Sequence, residues 1–152
     1  MTQQTRQSNS GDDITTKMVD KINLLKPGLK SYDIRELVND TEKLGKELAP
    51  RLKTNQIRKF LDAVTRLKSN LAKDKQKDFN TIQTDLVFLL PKLAYAAARQ
   101  QKNNRDPGPV APFKQVLEAA IKQVKTTEDF DRFVQLVEAI IAYHKAAGGQ
   151  DQ

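Results

Sequence analysis

Thr54-Asn55-Gln56-Ile57-Arg58-Lys59-Phe60-Leu61-Asp62-Ala63-Val64-Thr65-Arg66-Leu67-Lys68-Ser69-Asn70-Leu71 decides the fold class. Ile57, Phe60, Leu61, Val64, Leu67 and Leu71 recur at helical spacing and form one apolar stripe, with none of the two-residue alternation that marks a strand. Thr54 is the expected N-cap, because its hydroxyl can accept from a first-turn N–H.

The same periodicity extends outward in both directions. Upstream, Ile34, Leu37, Val38, Thr41, Leu44 and Leu48 share a face of a helix that begins at Ser31 or Asp33 as N-cap and ends before Pro50. Downstream, Asp78, Phe79, Ile82, Leu86, Leu89 and Leu90 predict a third helix, which Pro91 either kinks or replaces with a new helix opening at a first-turn position. The alanine-rich stretch from Leu93 to Lys102 continues helically, since Ala has the lowest helical cost. Asn103-Asn104-Arg105-Asp106-Pro107-Gly108-Pro109 predicts a turn that no helix crosses. Phe113, Val116, Leu117, Ala120, Ile121 and Val124 then form a further stripe. A last helix follows Thr126 and Asp129 as a capping pair and stops at Gly148-Gly149. The expected fold is all-α, a bundle of about five or six helices over residues 31–149.

Residues 1–13 are almost entirely polar and are expected to be disordered. Between Ile14 and Lys30 the scattered apolar residues before Lys26-Pro27-Gly28 are consistent with a short helix or a segment that needs a partner. Residues 1–30 are therefore set apart as a flexible N-terminal arm.

The chain has 152 residues with 38% apolar composition, enough for one modest core. No cysteine is present, which excludes disulfides, thiolate metal sites and cysteine nucleophiles. The apolar run from Leu86 to Leu90 ends at Pro91, and no run approaches the ~18 to 20 residues of a membrane span. Met1 to Ser10 lacks a secretory signal's apolar stretch, so a cytoplasmic location is expected.

The net charge of +7 is unevenly placed. Residues 1–50 carry 8 basic and 8 acidic side chains, residues 51–105 carry 13 and 4, and residues 106–152 carry 5 and 7. A middle segment with a net charge of +9 suits a localised polyanion-binding surface as well as a solvated lysine-rich face.

Catalytic chemistry finds no support. His144 is the sole histidine and lies on the face of Phe133, Val134 and Val137, where a packed histidine without an acidic or nucleophilic partner is expected. The glycines form no phosphate-binding loop. Arg58, Asp62 and Arg66 sit four residues apart and are expected to pair on the surface. No catalytic residue, metal or cofactor is expected.

Binding is better supported. On the second helix Lys59, Arg66 and Asn70 lie along one exposed strip opposite Val64, beside Asn55, with Asp62 partly neutralising it. Further on, Lys92, Tyr95, Arg99 and Lys102 follow at steps of three, four and three on one face, among alanines, and no acid lies between Asp85 and Asp106. The cations suit phosphates, and Tyr95 offers a stacking ring or a phenolic hydrogen bond, unless it is a core aromatic. The last helix has a second apolar row, Leu136, Ile140 and Tyr143, which fits either a central core helix or an interface to another subunit.

Three stretches carry a family resemblance: Lys53-Thr54-Asn55-Gln56-Ile57-Arg58-Lys59-Phe60, Leu90-Pro91-Lys92-Leu93-Ala94-Tyr95-Ala96-Ala97-Ala98-Arg99, and Phe133 through Glu138-Ala139-Ile140-Ile141-Ala142-Tyr143-His144-Lys145 to Gly148-Gly149. In this order they resemble the small subunit of type III-A CRISPR effector complexes, the Csm complexes, over roughly residues 51–149. The resemblance implies a helical protein without catalytic activity that stacks in several copies beside a backbone subunit carrying the CRISPR RNA. It implies partners in CRISPR RNA, target RNA, further copies of the chain and the other Csm subunits, and it leaves nucleic-acid cleavage to those subunits. Recognition would rest on backbone charge and duplex shape, because base pairing reads the sequence. Lys53, Gln56, Arg58, Lys59, Arg66, Lys92, Tyr95 and Arg99 are the expected RNA-facing set. A helical protein-interaction module without nucleic-acid contact is the alternative.

Overall fold

The computed structural model describes residues 10–100 and 108–149, with no side-chain description for 10–13 and Gln100. Among them are seven α-helices, one short 3₁₀ turn (Leu29–Ser31) and no strand. The helices are α1 (Ser10–Asn23), α2 (Ile34–Leu48), α3 (Thr54–Lys73), α4 (Asn80–Val87), α5 (Leu89–Gln100), α6 (Ala111–Lys122) and α7 (Thr127–Ala146).

α7 is the central element and packs against α2, α3, α6 and the 3₁₀ turn. Its faces explain this: Phe133, Val137 and Ile141 on one row and Leu136 and Ile140 on the next are all buried, so the double apolar row belongs to the core. Tyr143 is half-buried beside it. α2 approaches α7 closely because Gly45 has no side chain. A Cβ there would stand 2.6 Å from the Tyr143 Cβ and 2.8 Å from the His144 backbone nitrogen. α7 begins as expected, with Thr126 Oγ1 accepting from Asp129 N–H at 3.1 Å, and ends at Gly148, whose φ of +92° is the left-handed stop.

The N-terminal part departs from expectation. Ile14, Met18 and Ile22 on α1 and Leu29 in the 3₁₀ turn are buried, and α1 packs on α6 and α2. The flexible arm expected over residues 1–30 therefore gives way, from residue 14 onward, to a segment built into the bundle. The three buried apolar positions on α1 recur every four residues, so α1 covers its apolar stripe against its own chain. Residues 1–9 of the expected arm lie outside the described residues.

Boundaries shift in two other places. Asp33 is the α2 cap, its Oδ2 accepting from Glu36 N–H, whereas the α3 cap is Lys53 and not Thr54. Thr54 is the first helical residue, 2% exposed, with its Oγ1 unpartnered. The third helix breaks at Phe88, three residues before Pro91. That break puts Pro91 in the first turn of α5, where its missing N–H costs no intrahelical bond. On α2 the apolar face is narrower than expected, since Ile34 and Val38 are 43% and 39% exposed.

Candidate nucleic-acid interface

α3 and α5 line opposite sides of a groove. The periodicity that turns Ile57, Phe60, Val64 and Leu67 of α3 inward leaves Gln56, Lys59 and Ala63 on the edge facing α5. On α5, Leu89 and Leu93 turn inward, and Lys92, Tyr95, Ala96 and Arg99 form the facing edge. α5 packs on α4 and α6, while α3 packs on α4 and α7, so a cavity of about 280 Å³ remains between them. Its floor is apolar: Leu52 before α3, Ile57 and Phe60 on α3, Leu89 and Leu93 on α5, and Val110 and Phe113 at the start of α6. Phe60 and Phe113 meet edge to face with centroids 5.6 Å apart, which fixes the floor.

The rim is polar and positively charged. Gln56 turns its Oε1 back to accept the Lys53 N–H at 3.1 Å, leaving its Nε2 donors uncommitted. Lys59, Lys92 and Arg99 have no ion-pair partner among the described residues. Tyr95 is 67% exposed, so it is not a core aromatic, and the Arg99 guanidinium stands 5.8 Å from its ring centroid.

Five of the eight expected RNA-facing residues thus meet at one groove: Gln56, Lys59, Lys92, Tyr95 and Arg99. Lys53 caps α3 one turn before Gln56 and is exposed. Arg58 and Arg66 are exposed on α3 but do not line the groove. The ion pairs expected of Asp62 with Arg58 and Arg66 do not form. The cost of ordering long exposed side chains offsets the small gain of such a pair. Lys102 lies outside the described residues. Sequence reasoning missed the floor, which joins Leu52 and Phe113 across 61 positions of chain. Only the helical stripe of Phe113, Val116 and Leu117 hinted that α6 would lie beneath α3 and α5.

His144 is fully buried on α7, and its Nε2–H donates to the Leu52 carbonyl oxygen. Its Nδ1 is buried without a partner. The ring therefore fastens the end of α7 to the loop that contributes the groove's first floor residue.

A small, basic, all-helical bundle with a cation-edged apolar groove is the class that fold and site define. Residues 31–150 match the family model described as Csm2 Type III-A. The chain is also 32% identical over 100 residues to the protein named "CRISPR system Cms protein Csm2" from Streptococcus thermophilus, covering 66% of this chain and 76% of that relative. No solved structure matches the chain. The chain belongs to the Csm2 family and is a small subunit of a type III-A Csm effector complex. Helix α1 lies outside the matched region.

Proposed function

We propose that this subunit binds the guide and target RNA through the groove between α3 and α5, without catalytic activity of its own, in a cytoplasmic complex that performs antiviral RNA-guided interference. The observation that carries this reading is the convergence of Lys59, Lys92 and Arg99, which no carboxylate among the described residues pairs with, on one groove. Cations left unpaired on a folded protein retain their full attraction for phosphates, and counterion release from the RNA then drives association. Base pairing between guide and target supplies the sequence discrimination, so this subunit needs only charge and shape. Stacking of copies within the complex requires protein contacts as well. Val87 and Phe88, 46% and 61% exposed at the α4–α5 junction, are suited to those contacts.

The test is the salt dependence of RNA binding by the assembled complex carrying Lys92→Ala with Arg99→Ala. The slope of log affinity against log salt should flatten by ~0.7 for each lost phosphate contact in every mutated copy. An unchanged slope, with Lys92→Glu instead abolishing copurification of the subunit, would favour the reading of these cations as a protein-docking surface.

A further inference from the structure

Phosphate contacts account for the rim of the groove but not for its floor. A sugar-phosphate backbone laid across Lys59, Lys92 and Arg99 would leave unfilled the apolar cavity beneath them, whose floor of Leu52, Phe60, Leu93 and Phe113 is already packed into the core and offers an apolar ligand a preformed seat. We propose that the groove receives a single unstacked nucleobase of the bound RNA. This rests on the RNA-binding reading above and adds to it the part of the nucleotide that enters the protein.

Several features select a base. The cavity of about 280 Å³ lies just below the usual range for ligand pockets, suited to one ring system rather than to a run of residues. Its opening is kept free by Ala63 on one wall and Ala96 on the other, where any longer side chain would project into the space. Tyr95 stands exposed at the edge with Arg99 against its ring, a pair that presents a π-face and a planar cation to an incoming aromatic. Gln56 is oriented by its bond from the Lys53 N–H, so its Nε2 can donate to a carbonyl or ring nitrogen on the base edge. The cations then hold the flanking phosphates. A base inside an A-form duplex is stacked and beyond reach, so the ligand is a nucleotide from a single strand, a bulge or a flipped-out position.

The experiment uses the full chain, isotope-labelled for solution NMR, titrated separately with adenosine 5′-monophosphate and ribose 5-phosphate. These probes carry the same phosphate and differ only in the base. Binding through the base should make the mononucleotide about five- to 100-fold tighter and should shift the methyl signals of Leu52, Ile57, Leu89 and Leu93. Ribose 5-phosphate should move only signals at the rim. Ala63→Leu with Ala96→Leu should erase the difference between the two ligands while leaving the weak binding of ribose 5-phosphate in place. Tyr95→Ala, an exposed change that cannot disturb the core, should reduce the preference for the mononucleotide. Equal binding of the two ligands, confined to the rim, would overturn the base site and leave the phosphate reading standing. Absence of any shift with either ligand would also overturn it, whereas an unchanged salt slope in the complex would remove the RNA reading beneath it.

Discussion

The half of the bundle built from α1, α2 and α7 and the half built around α3 and α5 treat their charges in opposite ways. In the first, a set of charged and polar groups ties the elements together from within. Lys21 Nζ lies 2.9 Å from both Asp40 Oδ2 and Glu36 Oε1, and the Tyr32 hydroxyl donates to the same Asp40 oxygen at 2.6 Å. Asp129 is 2% exposed and accepts from Lys30 N–H at 2.8 Å and Lys125 N–H at 3.0 Å, joining the 3₁₀ turn to the start of α7. Gln123 Nε2 donates to the carbonyls of Ile22 and Leu25, which closes the end of α1. In the second half, Lys59, Lys92 and Arg99 face a groove with no ion-pair partner among the described residues. With RNA binding at the groove as proposed, stability and binding fall to different regions, and substitutions in each should affect one property and spare the other.

The largest loss of stability should come from Asp129→Ala, which removes a buried carboxylate and leaves two part-buried backbone N–H donors without their acceptor. A loss of about 3 kcal/mol is expected, read as a lower urea midpoint, with the RNA affinity of the remaining folded protein unchanged. Gly45→Ala should follow, at about 1 to 3 kcal/mol, because the new Cβ forces α2 away from α7, and this outweighs the better helix propensity of Ala.

The Lys21, Tyr32 and Asp40 cluster gives the first half a pH dependence. Burial would by itself lower the Lys21 ammonium, but its bonds to Asp40 and Glu36 and their charges prevail and hold it above its ordinary value of 10.5. Burial, and then the bond to Asp40, push the Tyr32 phenol well above its ordinary 10.0. Both groups bind their protons more firmly when folded than when unfolded. Their stabilising contribution is therefore complete below about pH 10 and is lost as pH rises through the folded values. Melting temperature should not respond to these two groups from neutrality to about pH 9 and should fall above pH 10. Tyr32→Phe should weaken that alkaline fall. The smallest effect belongs to Thr54→Val, which replaces an unpartnered buried hydroxyl and should leave stability within about 1 kcal/mol of the parent, on the favourable side if it moves.

The helices were legible from the sequence because each carries its own stripe. The expected stripe of α6 is buried from Phe113 to Val124, and that of α7 from Phe133 to Ile141. Local capping was readable at Asp33 and Thr126, where the side-chain oxygen alone decides, and failed at Thr54, which is already the first helical residue with its hydroxyl buried and unpartnered. α1 was underestimated because its few apolar residues look insufficient until α6 and α2 are placed beside them. The cations of the groove were readable one helix at a time. That Lys59 and Gln56 face Lys92 and Arg99 is a property of tertiary packing, and so is the floor contributed by Leu52, Val110 and Phe113. Asp62 stands four residues from both Arg58 and Arg66, yet spacing alone could not foresee that the pairs would stay open.

The separation of the two regions is tested most directly by paired measurements on three subunits assembled into the complex: the parent, Lys59→Ala with Lys92→Ala and Arg99→Ala, and Arg35→Ala with Lys43→Ala on the exposed surface of α2. Thermal stability of each subunit and the salt slope of RNA binding by each complex are recorded together. The groove variant should keep its stability within about 0.5 kcal/mol per site and lose about two units of salt slope for each copy that meets the RNA, while the α2 variant should retain both. An unchanged slope in the groove variant, or an equal loss from the α2 variant, would contradict the assignment of RNA binding to the α3–α5 groove.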